Sequence, residues 1–136
     1  MKIIQVIDSP WAIGALAKVI EEKNSHLEIK TMTVHPKELR QNPQQFIDML
    51  KFAIEEEKPD VVHFHYWDVA NTLRPHVPEG VKVILTHHNQ KNLLTHDWTS
   101  FDMLVVHTKK ALETLLRAGY SKVAVIQHGI DIERFQ

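Results

Sequence analysis

Two hydrophobic periodicities alternate along the chain. Residues 3–7, Ile-Ile-Gln-Val-Ile, are a short β-rich apolar run, the pattern of a strand covered on both faces. Ser9 and Pro10 follow as an N-cap and a first helical residue. Ile13, Leu16, Ala17 and Ile20 then recur at helical spacing. Residues 28–34 alternate with more polar positions, which predicts a second strand near a sheet edge. Residues 36–40 read as a connector. Asn42, Pro43 and Gln45 signal a helix start, with Asn as the cap and Gln as its capping-box partner. Phe46, Ile47, Leu50, Ala53 and Ile54 form the buried stripe of that helix, and Lys58-Pro59-Asp60 stops it.

The same alternation continues to the end. A third strand is predicted over 61–66 and a short helix over 69–73, ending near Pro75. Glu79-Gly80 is a turn, and a fourth strand spans 81–86. Residues 89–100 lack periodicity and read as a loop or a broken helix. A fifth strand covers 102–106. Thr108 caps a helix carrying Ala111, Leu112, Leu115 and Leu116, which ends at Gly119. A sixth strand covers 122–126. Strands and helices in alternation with short connections imply right-handed crossovers and a mostly parallel sheet. The expected fold class is therefore α/β: one three-layer αβα, Rossmann-like domain over residues 1–136.

Composition removes several functions. The formal net charge is −1 with the cations dispersed, which argues against a nucleic-acid partner. Cys is absent, so disulfides and thiolate metal sites are excluded, and the setting suggested is cytoplasmic. The first strand begins directly after Met1, without a signal-peptide pattern, and no apolar run reaches the length of a membrane span. That leaves peripheral membrane contact as the compatible mode.

Histidine changes the picture. The chain has ten, and His65, His87, His88, His107 and His128 fall just after predicted strands. In open parallel sheets ligands sit at those carboxyl ends, where the strand order reverses. His63 lies inside its strand and reads as a satisfied core histidine. His65 shares its face and lies nearer the cleft. Trp67 follows, able either to stack on a sugar ring or to cap the core. His87 and His88 point to opposite faces, so at most one of them faces the cleft. A histidine there can donate to a hydroxyl or accept its proton. A metal set of His65 and His88 with Asp68 or His96 matches no established zinc spacing, so no metal and no cofactor is expected. In the first loop Gly14 either lets a helix N-terminus approach an anion or simply lets the helix pack on the sheet.

Taken in order, these motifs resemble the N-terminal domain of GT-B retaining glycosyltransferases of family 4. Val125-Ile126-Gln127-His128-Gly129-Ile130-Asp131 with Phe135 is similar to the family's V-I-P-N-G-I-D-x-x-x-F hinge. Asp60-Val61-Val62-His63-Phe64-His65 resembles its D-V-V-H-x-H strand, and Thr86-His87-His88-Asn89 its T-x-H segment. Asp102 to Val106, with Thr108 and the following Leu-rich helix, resemble the segment before the hinge. This chain departs from the family in carrying a single first-loop glycine and Gln127-His128 in place of Pro-Asn.

The resemblance implies sheet order 2-1-3-4-5-6, one half of a GT-B fold. It implies that His88 contacts acceptor or donor, and that Trp11, Gly14, His65, Trp67 and Asn89 line the substrate cleft. His128, Gly129 and Asp131 would be the hinge to a donor-binding domain, which the chain is expected to lack, ending at Gln136. The substrates implied are a nucleoside-diphosphate sugar and a hydroxyl acceptor, with little transfer by the isolated half. The half would be either a piece of a longer enzyme or a natural subunit completed by a separate donor-binding subunit. Two alternatives stand beside this: a non-catalytic binding module, which an exposed cleft would allow to form a homodimer, and a metal hydrolase using the histidine cluster.

Overall fold

The computed structural model describes residues 1–7, 28–88 and 93–126. Six strands form one all-parallel sheet: β1 (Lys2–Ile7), β2 (Glu28–Thr33), β3 (Val61–Phe64), β4 (Lys82–Thr86), β5 (Met103–Val106) and β6 (Val123–Val125). Their order is β2-β1-β3-β4-β5-β6, as the family resemblance implied. The described helices are α1 (Pro36–Gln41), α2 (Pro43–Glu57), α3 (Trp67–Leu73) and α4 (Lys109–Arg117). A 3-10 turn over Arg74–His76 accommodates Pro75 after α3.

Burial explains the order. On β1 the consecutive residues Ile4, Gln5, Val6 and Ile7 are all buried. Neighbours in a strand face opposite ways, so both faces of β1 are covered. Val62 and Phe64 on β3, Val83 and Leu85 on β4, and Leu104 and Val106 on β5 extend that core. β2 is polar and largely exposed, as an edge strand should be. Helix α2 contributes Phe46, Ile47, Leu50 and Ile54, and α4 contributes Ala111 and Leu115.

The two motif aspartates are structural and lie at the amino-terminal end of the sheet. Asp60, just before β3, donates its N–H to the Lys2 carbonyl at 2.9 Å and accepts the Lys2 N–H on its carboxylate at 3.0 Å. Asp102, just before β5, does the same with Val83, at 2.9 and 2.8 Å. Each carboxylate thus satisfies a backbone donor on the neighbouring strand that the short pairing would leave open.

Two local readings change. Residues 36–40 are a helix, not a connector. Pro36 sits in its first turn, and the His35 ring, through Nδ1, accepts the Lys37 N–H at 3.2 Å. A histidine acting as the cap conceals the start from the usual Ser/Thr/Asp/Asn signal. Asn42 stands between α1 and α2 but makes no side-chain cap to the backbone. Its amide donates instead to Gln45 Oε1 at 3.0 Å, while its N–H closes α1 on the Glu38 carbonyl. Thr108 caps α4 as expected, accepting the Ala111 N–H at 3.1 Å, and Gly119 ends it with φ +99°.

Candidate functional site

The sheet order places the ends of β3, β4, β5 and β6 side by side. His65 leaves β3, His88 follows β4, His107 follows β5 and Ile126 follows β6. Their rings make a continuous row along the carboxyl edge. Gln5 of β1 begins it: its Oε1 lies 2.9 Å from His65 Nε2. His65 Nδ1 lies 3.1 Å from His88 Nε2. His88 Nδ1 lies 3.1 Å from His107 Nε2, and His107 Nδ1 lies 2.7 Å from the Ile126 carbonyl oxygen. Gln5 and His65 are buried, whereas His88 and His107 are half-buried and form the accessible part of the row.

His63 supports the row from within β3. Its Nε2 meets Thr86 Oγ1 at 2.6 Å, and its ring centroid lies 4.2 Å from that of His65. It is the satisfied internal histidine that the strand pattern suggested. Burial, with a smaller contribution from His88, pushes its pKa down from 6.5 to about 4. Burial pushes His65 further, to about 2, with His63 and His107 as nearby like charges. These two rings are therefore neutral at physiological pH.

His87 and His88 do diverge. His87 is buried against Trp98, with ring centroids 5.0 Å apart, while His88 joins the row. Trp67, at the start of α3, stacks on His96 at 4.2 Å and meets Trp98 edge-on at 4.9 Å. One face of Trp67 is thus taken by His96, and the residue packs against the core while staying partly exposed. Trp98 is fixed by its indole N–H, which donates to the Leu93 carbonyl at 2.6 Å.

The structure thus brings His65 and His88 together, with Trp67 on the next helix. Trp11, Gly14, Asn89, His128, Gly129 and Asp131 lie outside the described residues. Gln5 and His107 are members of the row to which the sequence reading gave no role, although it placed His107 among the histidines at strand ends. Gln5 had a signal: it is the one polar residue in the apolar run 3–7. Among the described residues no group of three His, Asp or Glu could hold a metal ion. His65 and His88 direct nitrogens at each other, and His96 is occupied by Trp67.

The profile of Glycosyltransferase Family 4 matches residues 14–134. The chain belongs to this family. The match covers the β3, β4 and β5 motifs and the hinge-like tail as far as residue 134, and the parallel sheet in its 2-1-3-4-5-6 order agrees with it. A search of curated proteins finds no match. In an open parallel sheet the carboxyl edge is the place to look for a ligand site. Among the described residues no helix is long and apolar enough to cross a membrane.

Proposed function

We propose that this domain is the acceptor-side half of a retaining glycosyltransferase. The donor is a nucleoside-diphosphate sugar held mainly by a second, donor-binding domain, and the acceptor is a hydroxyl compound lying over the carboxyl edge described above. The observation that carries this reading is the row of His65, His88 and His107 at the strand ends of a family 4 domain.

Transfer makes a bond from the acceptor hydroxyl oxygen to the anomeric carbon and breaks the bond from that carbon to the diphosphate oxygen. The hydroxyl proton passes to the departing oxygen on the same face of the sugar. The contribution of this domain is orientation: a hydroxyl fixed near the anomeric carbon reacts faster than a free one. His88 suits the role because a half-buried imidazole can donate to one hydroxyl and accept from another. A substrate hydroxyl, itself donor and acceptor, can take the place of the 3.1 Å contact between His88 and His107 at the more accessible end of the row. Stabilisation of the leaving diphosphate falls to the other domain. Transfer by the isolated domain is accordingly negligible, and the setting we propose is cytoplasmic.

The test is a transfer assay with UDP- and GDP-sugars on an enzyme that joins this domain to a donor-binding domain. His88→Ala should lower kcat/KM by about 10- to 100-fold, the loss expected for one or two substrate hydrogen bonds. A variant as active as the parent would remove His88 from the site. Rapid turnover by the isolated domain would overturn the assignment of the donor to a second domain.

A further inference from the structure

Counting protons along the histidine row leads to a conclusion about Gln5 and His107. Four hydrogen bonds run through the ring nitrogens of three histidines, from Gln5 Oε1 to the Ile126 carbonyl. Each bond needs one proton. The partners at both ends are oxygens, so the rings must supply every proton. Four are needed, and three neutral imidazoles hold three. With Gln5 placed this way, the row carries one excess proton and one positive charge.

There is one neutral solution. If the Gln5 amide makes a half-turn, its NH2 group donates to His65 Nε2, and all three rings become Nδ1–H tautomers. Every bond in the row is then kept with three ring protons. The half-turn gives the buried Gln5 Nε2 atom the His65 partner it otherwise lacks, and leaves Oε1 as the unpartnered atom in its place. In the charged form His65 is instead Nε2–H, and the charge rests on His88 or His107, the less buried rings. The two forms therefore differ in the tautomer of His65, in the amide of Gln5 and in one proton.

We infer that Gln5 and His107 are positioning residues for His88: as the two ends of one hydrogen-bonded row, they decide which His88 nitrogen carries a proton. The groups around the row are consistent with this. β3 presents His63, tied to Thr86 Oγ1 of β4. β1 presents Gln5, and the segments after β5 and β6 present His107 and the Ile126 carbonyl. The chemical class recognised depends on this pattern: the neutral row offers a hydroxyl an acceptor nitrogen at His107 once the 3.1 Å contact opens, and a donor at His88 Nδ1. That last step rests on the proposed function. The proton count does not.

The experiment is nitrogen-15 NMR of the histidine rings of the whole chain, from about pH 5 to pH 9 without substrate. The expected result is that His65 changes from Nε2–H at low pH to Nδ1–H at high pH, together with loss of one proton from His88 and His107. Gln5→Glu, which can only accept when ionised, should hold His65 as Nε2–H and raise the midpoint by about one unit. Gln5→Leu, which leaves nothing to accept from Nε2–H, should lower the midpoint. His107→Phe shortens the row to two bonds that two neutral rings satisfy with either orientation of the Gln5 amide, so the His65 tautomer should no longer change together with the loss of a proton. The His65 tautomer separates this role from packing, because a buried carboxylate or an apolar side chain moves a nearby imidazole's midpoint whatever its role. A His65 tautomer that never changes in the native chain overturns the inference, as does an unchanged switch in His107→Phe. Amide spectra report whether each variant folds, and the native chain alone decides if one does not. No sugar is used, so failure here leaves the transfer reading standing, and failure of the transfer assay leaves this one.

Discussion

Lowering the pH from about 7.5 to about 5 is expected to destabilise the folded domain by roughly 3–4 kcal/mol. The reason is the pair of neutral histidines under the site. In the unfolded chain a histidine titrates near 6.5. In the folded chain burial holds His63 neutral down to about 4 and His65 down to about 2. Between those values the unfolded chain binds protons that the folded chain refuses. The stability these rings contribute is fully present above pH 6.5 and is lost as the pH falls below it. Each group costs about 1.4 kcal/mol per pH unit in that window. Proton uptake elsewhere in the row offsets part of the sum. Urea denaturation at the two pH values, with the slope unchanged, measures the difference. Equal midpoints would mean that His63 and His65 are not buried as neutral rings.

The second large effect is at Trp98. Trp98→Ala should destabilise the domain by about 3–5 kcal/mol, the usual range for deleting a buried aromatic. Trp98 is only 3% exposed, and its ring meets those of Trp67, His87 and His96. Truncation opens a cavity beside Trp67 and His87 and strips the Leu93 carbonyl of its indole donor. Trp98→Phe keeps most of the packing and loses the N–H, so it should cost about 1–2 kcal/mol. Thermal unfolding of the three proteins gives the ranking. An Ala variant within experimental error of the native protein would show that the segment before β5 does not pack on the core.

How much was legible in the sequence depended on periodicity. The strands were readable because both-face burial produces continuous apolar runs, as in Ile3 to Ile7. Their order was not carried by the pattern. It came with the family resemblance, since neighbouring parallel strands leave no local signal of which pairs with which. Helix α1 was missed because it is six residues long, buries only Leu39 and is capped by a histidine ring. The packing of Leu93, Trp98 and Phe101 was hidden because an irregular segment buries its apolar residues without a period. At the site, strand ends singled out His65 and His88, but their hydrogen bonding to each other depends on the register of β3 against β4. Gln5 and His107 are joined to them across 60 and 19 residues of chain, a separation no local motif encodes.

The central claim is that the carboxyl edge around His88 receives the hydroxyls of a sugar or other polyol. Its most direct test is an NMR titration of the labelled chain with methyl glucoside, methyl mannoside, methyl galactoside and inositol. The account predicts that at least one of them shifts His88 and His107 ring signals, together with Trp67, in a saturable way. The crevice at the opposite end of the sheet, lined by Arg74, Gly80 and Asp102, should stay silent. Saturable shifts confined to that opposite crevice, with His88, His107 and Trp67 unmoved, would contradict it.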